Sequence, residues 1–320
     1  MLRTRGVLLR RVGRVREAVD AYVEAIAVFR RVGARRQEAR AKSALAFAMY
    51  CQGRYEDAVG LALESIQIDL GMGGRFQLAN TLTNIGTAYA RLGDFARAKA
   101  YLERSRDAHE RYGDQDGRAD TLIISAEVYL ECGEIDAATT FLADASALNA
   151  ATGNAYDGVH AAVARASVEL ARGQAAHAAD LALAARRQAE DLTLVSFHFY
   201  ALAIEAAARA TAGELHSATL LATTALGAVE TLQGCEYGLE VRVLCTKALT
   251  AAGSPEAVLA KTRAMSHAAA LMQTIRDPQL RVLFGKRTAV QELLGPRSLE
   301  RGAKSDPLEA GATQHEAPTA

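Results

Sequence analysis

Glycine recurs at a fixed interval of 40 residues along most of this 320-residue chain. A second column lies five positions after each glycine and holds alanine from Ala18 to Ala218, with Val258 as the exception. The glycine column consists of Gly13, Gly53, Gly93, Gly133, Gly173, Gly213 and Gly253. Because both columns share one period, we expect each unit to adopt the same local structure and to stack against its neighbours.

The unit at residues 81–113 contains the clearest version of the pattern. Gly93 separates two apolar, helix-forming segments, and glycine can adopt the positive φ that lets a helix end and the chain reverse. Gly86 and Ala98 are small, so they fall where two helices must approach closely. The large residues of the unit are Leu82, Ile85, Tyr89 and Leu102. This arrangement predicts a helix–turn–helix unit.

The spacing of these residues resembles the tetratricopeptide repeat family. That family usually has about 34 residues in a repeat, so the 40-residue period resembles the long repeats of kinesin light chains and of bacterial signalling regulators. The resemblance implies an all-α, right-handed α-solenoid of about seven helical hairpins with a C-terminal capping helix. It also implies a binding scaffold rather than a reaction.

The sequence suggests three segments. We expect the repeat solenoid at residues 1–273 and capping helices at 274–295, because Asp277 and Pro278 form a helix-start signal. After Gly295 the sequence loses its periodicity and becomes rich in Pro, Gly, Ser, Glu and Lys, so a disordered tail is expected at 296–320. The early position of Gly13 also suggests that the chain is part of a longer polypeptide.

Composition argues against several classes of protein. The formal net charge is zero, which argues against a general nucleic-acid or membrane-surface binder. No window approaches the roughly 18 apolar residues of a membrane span, and the four cysteines show no zinc spacing. We therefore expect a cytoplasmic protein without a metal or cofactor.

No catalytic signature stands out. The glycine-rich GMGGR at residues 71–75 lacks the Lys-Ser/Thr that a phosphate loop requires, and a turn is the better interpretation. The histidines show no i, i+4 metal-binding pair. We therefore expect no catalytic residues, no enzyme activity and no small-molecule substrate.

The resemblance implies a partner-binding groove on the concave face, lined by the first helix of each hairpin. Asn84 lies in TLTNI, which resembles the T-L-x-N-L run of kinesin light chains, where the asparagine contacts peptide backbone; a bond within its own helix is the alternative. The candidate groove residues are Arg40, Asn80, Thr83, Asn84, Thr87, Arg91, Asp120, Glu127, Glu131 and His160.

Charge is segregated along the chain. Residues 1–42 hold twelve basic residues against four acidic ones, whereas residues 110–144 hold nine acidic residues against two arginines. Such runs are usually solvated helix faces, but they could also orient a bipolar partner. We predict a protein or peptide partner with its acidic end near Arg40 and Arg91 and its basic end near Glu127 and Glu131. The alternative is the C-terminal regulatory region of a multidomain bacterial signalling protein, a Ser/Thr kinase or an ATPase-linked transcription regulator.

Overall fold

The computed structural model describes residues 2–72 and 76–295 and contains sixteen α-helices within those ranges. The helices are α1 (Leu2–Arg11), α2 (Val15–Arg31), α3 (Arg35–Cys51), α4 (Tyr55–Gly71), α5 (Phe76–Arg91), α6 (Phe95–Arg111), α7 (Gln115–Glu131), α8 (Ile135–Thr152), α9 (Ala155–Ala171), α10 (Ala175–Asp191), α11 (Val195–Thr211), α12 (Leu215–Thr231), α13 (Gly238–Ala251), α14 (Ala257–Thr274), α15 (Pro278–Lys286) and α16 (Thr288–Leu294). The first fourteen form seven consecutive hairpins, which confirms the predicted α-solenoid.

The glycine column forms the turn between the two helices of each hairpin. All seven glycines have positive φ, between 63° and 86°, a conformation that costs other residues about 1–2 kcal/mol. A second series lies between hairpins, where Gly33, Gly113 and Gly153 also have positive φ. Thr193 occupies that position later in the chain and keeps a φ of 56° without being glycine. The turn geometry is therefore retained where the residue that favours it is lost.

The alanine column lies at the contact between the two helices of a hairpin. Ala98 is buried, as its small size predicts, and so are Ala58, Ala138, Ala178 and Ala218. In the third hairpin, a Cβ on Gly86 would lie 2.7 Å from Leu102 Cγ and 3.2 Å from the Ala98 carbonyl oxygen. The small residues thus set the distance between α5 and α6.

The C-terminal helices begin as the sequence predicts. The Asp277 side chain accepts hydrogen bonds from the backbone N–H groups of Gln279 and Leu280, and Pro278 occupies the first turn of α15. Phe284 and Val290 of α15 and α16 are buried in the same core as α2–α5. Residues 296–320, expected to be a disordered tail, lie outside the described residues, and the division of the chain at residue 273 stays a prediction.

The two ends of the solenoid meet, which nearest-neighbour stacking alone does not predict. C-terminal residues contact the turns of the first two hairpins. The Arg16 N–H donates to Gln233 Oε1 at 3.2 Å, Thr274 Oγ1 donates to the Gly53 carbonyl at 3.3 Å, and Arg276 pairs with Asp57 at 2.8 Å. The first helices are consequently arranged around a central space that stays open to solvent on one side, where Arg3 and Arg40 are exposed.

Across residues 2–72 and 76–295, every helix is too short or too polar to cross a bilayer.

Candidate partner-binding site

The first helices of the first five hairpins surround a cavity of about 510 Å³, here called the central chamber. This volume lies within the range of about 300–1,000 Å³ that is usual for ligand sites. Its lining residues come from α1 (Arg3, Val7, Arg10, Arg11), α2 (Tyr22), α3 (Arg40, Ser43, Ala44, Phe47), α5 (Asn80, Asn84), α7 (Asp120, Ile124), α9 (Tyr156, His160) and the α12–α13 connection (Glu236). One surface of mixed polar and apolar residues is therefore assembled from positions up to 233 apart in sequence, from Arg3 to Glu236.

Five of the ten predicted site residues line this chamber. Arg40, Asn80, Asp120 and His160 recur at 40-residue intervals on α3, α5, α7 and α9, one turn or more into each helix. Asn84 lies one turn beyond Asn80. The shared register of the repeats brings these side chains together, because equivalent positions on stacked hairpins face the same side.

Sequence reasoning missed the contributions of α1 and of Glu236. Arg10 lies over the Phe47 ring at 4.5 Å, and Arg11 lies over the Tyr156 ring at 5.8 Å, so α1 spans from α3 to α9. The basic character of residues 1–42 was the available signal, but it did not identify the face that α1 presents. No repeat pattern marks Glu236, because it lies in a connection.

Several chamber residues have polar groups that make few or no hydrogen bonds to the described part of the protein. Within the described part of the chain, Arg40, Asn80 and Glu236 make no hydrogen bond or ion pair. Asn84 makes one long hydrogen bond, from Nδ2 to Ser43 Oγ at 3.3 Å. That bond crosses to α3, so the amide does not bond within its own helix. These groups can donate to and accept from a guest.

Thr83 and Thr87 lie elsewhere, between helices. Thr83 Oγ1 lies 2.7 Å from Ser105 Oγ and 3.1 Å from Thr121 Oγ1, and Thr87 Oγ1 donates to the Thr83 carbonyl at 2.9 Å. Both threonines are buried. The Thr83 hydroxyl contacts α6 and α7, whereas the Thr87 hydroxyl bonds within α5, and neither residue lines the chamber.

Arg91, Glu127 and Glu131 lie in a second cavity of about 210 Å³, near the C-terminal ends of α5 and α7. Arg91 donates to Glu240 Oε1 at 3.0 Å, and Glu131 pairs with Arg287 at 2.7 Å. Because these charges already have partners, the second cavity differs chemically from the central chamber.

A group of buried polar side chains separates the two cavities, and we call it the partition; it consists of Tyr50, Arg91, Glu127, His160 and Tyr237. Tyr237 Oη donates to Glu127 Oε1 at 2.8 Å, and His160 Nε2 lies 3.2 Å from the same oxygen. Arg91 Nε donates to Tyr50 Oη at 3.0 Å. The partition joins α3, α5, α7 and α9 to the start of α13, so it depends on closure of the solenoid.

Two neighbouring carboxylates favour the imidazolium form of His160. Burial alone would lower its pKa, but Asp120 at 3.6 Å from Nδ1 and Glu127 at Nε2 outweigh burial and raise the pKa to about 10. Burial likewise favours the protonated form of Glu127, yet the hydrogen bond and charge of His160 lower the pKa of that carboxyl. The His160 ring also stacks on Phe197 at 4.9 Å. The raised pKa favours a positively charged His160 at the chamber wall near neutral pH.

Two further carboxyl groups near the chamber titrate abnormally. Burial, followed by the charge of Asp120, raises the pKa of Asp157 to about 7. The Oδ2 atom of Asp157 is buried without a hydrogen-bond partner. Burial also raises the pKa of Glu236, although Arg10 and His160 act in the opposite direction. Among the described residues, no group of three or more His, Cys, Asp or Glu is placed to hold a metal ion.

Comparison with known families agrees with this architecture. A family model of the tetratricopeptide repeat matches residues 1–70 and 77–151. Residues 1–151 therefore contain tetratricopeptide repeats. No curated protein matches the sequence.

Solved structures share the fold at low sequence identity. A Rap protein complexed with Competence and Sporulation Factor is 14% identical, with a TM-score of 0.64 over 94% of this chain and 88% of that chain. The apo form of RapI is 11% identical, with a TM-score of 0.52 over 90% and 82% of the two chains. A tetratricopeptide repeat protein from Parabacteroides merdae is 13% identical, with a TM-score of 0.44 over 92% and 97%. The two Rap proteins show that this fold is an established one.

Proposed function

We propose that this protein is a non-catalytic scaffold that binds a peptide segment of a protein partner inside the central chamber. The observation that carries the proposal is a set of chamber residues, Arg40, Asn80 and Glu236, that make no hydrogen bond or ion pair within the described residues, beside the weakly bonded amide of Asn84. Asparagine amides can pair with both the N–H and the C=O of an extended backbone. The Rap protein of the same fold was solved in complex with Competence and Sporulation Factor, which supports a binding role.

The charges of the chamber suggest the polarity of the guest. Arg3, Arg10, Arg11 and Arg40 lie on α1 and α3, whereas Asp120 lies on α7 and Glu236 in the α12–α13 connection. We infer that the acidic end of a peptide faces Arg40 and the basic end faces Asp120 and Glu236. The sequence alone suggested Arg91 for the acidic end and Glu127 and Glu131 for the basic end. Those three now have internal partners, so we move both ends of the guest into the chamber.

Selection from a random heptapeptide library tests this proposal. The full chain is immobilised, and selected peptides are synthesised and titrated by fluorescence anisotropy. We expect peptides with an acidic residue toward one end and a basic residue toward the other. Asn84→Ala should weaken their affinity by roughly 1–3 kcal/mol, about fivefold to 150-fold, because a paired amide is lost in a desolvated site.

Arg40→Gln and a matched control separate the chamber from general charge effects. Arg40→Gln should weaken binding of the selected peptides, while Arg104→Gln on exposed α6 should leave it unchanged. Circular dichroism checks that each variant is folded. Equal affinities for wild type, Asn84→Ala and Arg40→Gln would place the binding site outside the chamber and refute the proposal.

The alternative is that the repeats form the regulatory region of a longer signalling protein. The same chamber would then bind a segment of that longer protein. The exposed arginines of α1, Arg3 and Arg5 among them, favour it as a surface for an attached domain. The complete reading frame of the gene discriminates between the two proposals. A cytoplasmic location also remains our proposal; all four cysteines are unpaired, as is usual in a reducing compartment.

A further inference from the structure

Arg287 connects the C-terminal helices to the inside of the solenoid. It lies between α15 and α16 and is only 1% exposed. Its guanidinium donates to Glu131 Oε1 at 2.7 Å, to Glu240 Oε1 at 2.8 Å and to the Arg91 carbonyl at 3.2 Å. One side chain therefore bonds α5, α7 and α13, which belong to three different hairpins.

The contacts continue from Arg287 to the wall of the central chamber. Glu240 Oε1 accepts from both Arg287 and Arg91. Arg91 Nη2 lies 4.0 Å from Glu127 Oε2, and Glu127 holds His160, which lines the chamber. A continuous series of charged contacts thus links the C-terminal helices to a chamber residue.

A close backbone contact also joins α15 to the turn of the third hairpin. A Cβ on Gly93 would lie 2.4 Å from the Leu283 carbonyl oxygen of α15. Gly133 has the same φ of 79°, but a Cβ there would meet nothing within 4 Å. The turn of the third hairpin is therefore in close contact with α15, whereas the turn of the fourth is open.

We propose that α15 and α16 form a strap that holds the partition in place, with Arg287 as the positioning residue for the binding chamber. The proposal rests on the proposed function only in assigning the chamber as the binding site. If the strap opens, Glu131 and Glu240 lose a cation that is buried with them, and Arg91 must rearrange toward the remaining carboxylates or toward water. The position of Glu127 and His160 then changes, and a ligand that needs the intact wall favours the closed strap.

Hydrogen exchange of the full chain tests the strap without any ligand. Arg287→Met removes the charge contacts, and Gly93→Ala displaces α15 without removing a charge. Arg263→Met is the matched control for Arg287→Met, because Arg263 pairs with Glu230 on exposed helix surfaces. Gly133→Ala is the control for Gly93→Ala, because it introduces the same backbone strain at a turn where an added Cβ meets nothing within 4 Å. Both strap variants should raise exchange at least tenfold in α15, α16 and residues 236–240, and neither control should do so.

The titration of His160 distinguishes an opened strap from the mere loss of a charge. Loss of the Arg287 cation alone would raise the pKa of a nearby imidazolium, whereas an opened partition separates His160 from Glu127 and lowers it toward the ordinary value. We expect the NMR midpoint of His160, assigned with His160→Gln, to fall by one pH unit or more in both Arg287→Met and Gly93→Ala. The proposal is overturned if, in a strap variant that remains folded, the titration midpoint of His160 is unchanged or raised and hydrogen exchange in residues 236–240 is unchanged.

Selected heptapeptides provide the third measurement. Their affinity should fall at least tenfold in Arg287→Met and Gly93→Ala but not in the two controls. If no heptapeptide binds the chamber, the proposed function fails, while exchange and His160 titration still decide the strap. If peptides bind both strap variants as they bind wild type, the coupling of strap and chamber is refuted and the proposed function stands.

Discussion

Replacing His160 by glutamine should flatten the pH dependence of the unfolding free energy above neutral pH. The pKa of His160 is raised from 6.5 to about 10 in the folded protein. Below pH 6.5 both states bind the proton, and the stabilisation is fully present; it is lost as the pH rises toward 10. Since one unit of pKa difference corresponds to about 1.4 kcal/mol, the whole effect has a ceiling of about 5 kcal/mol.

Between pH 7.5 and 9.5 the folded state holds this proton and the unfolded state does not. The contribution of His160 should therefore decrease by about 2–3 kcal/mol over those two pH units. Glutamine keeps an N–H that can donate to Glu127 but carries no charge. The variant should lack this slope, although cysteine and lysine groups impose their own pH dependence on both proteins.

Urea unfolding followed by circular dichroism at pH 7.5, 8.5 and 9.5 measures the effect, with wild type and His160→Gln compared at each pH. The difference between them should shrink as the pH rises, because only wild type loses the imidazolium contribution. His216→Gln, at an exposed position of α12, serves as the control. If wild type and His160→Gln give parallel curves, His160 does not remain protonated above neutral pH, and the charge pairing with Asp120 and Glu127 is not what holds the partition.

Three further predictions concern the scaffold. Ala98→Leu should cost about 1–3 kcal/mol through overpacking at the α5–α6 contact, whereas Ala100→Leu on the exposed side of α6 should be nearly neutral in urea unfolding. Because the pKa of Asp157 is raised to about 7, its contribution to the unfolding free energy falls as the pH rises from 4 to 7. Asp157→Asn should remove that fall. Equal pH slopes of the unfolding free energy in wild type and Asp157→Asn would contradict this prediction. Both Thr193 and Gly113 have positive φ, which favours glycine. Thr193→Gly should therefore stabilise the protein by up to about 1 kcal/mol in thermal unfolding, and Gly113→Thr should destabilise it by about 1–2 kcal/mol. Destabilisation by Thr193→Gly together with stabilisation by Gly113→Thr would disprove backbone strain at these positions.

The periodic columns predicted the local structure well because each depends on interactions within one hairpin. Gly93 ends a helix by its own conformational freedom, and Ala98 is small because α5 and α6 cross at that point. Asp277 starts α15 by bonding its own first turn. Such short-range requirements leave a mark on the sequence wherever the unit recurs.

The candidate site was predicted only in part. Arg40, Asn80, Asn84, Asp120 and His160 line the chamber because their register in the repeat determines the face on which they lie. The same register also suggested Arg91, but its side chain bonds Glu240, which lies 149 positions away. The position of a residue in the repeat predicts the helix face on which it lies. It does not predict which residues from distant parts of the chain pack against that face.

The sequence by itself determined the hairpin, its seven copies and the positions of their turns. Closure of the solenoid was decided only in the tertiary structure. A small rotation between adjacent hairpins accumulates over the array, and its sum brings Arg287 to Glu131 and Tyr237 to Glu127. No single repeat encodes that sum, so the chamber and its partition cannot be seen in the repeat pattern, and residues in connections, such as Glu236, carry no mark of their place in it.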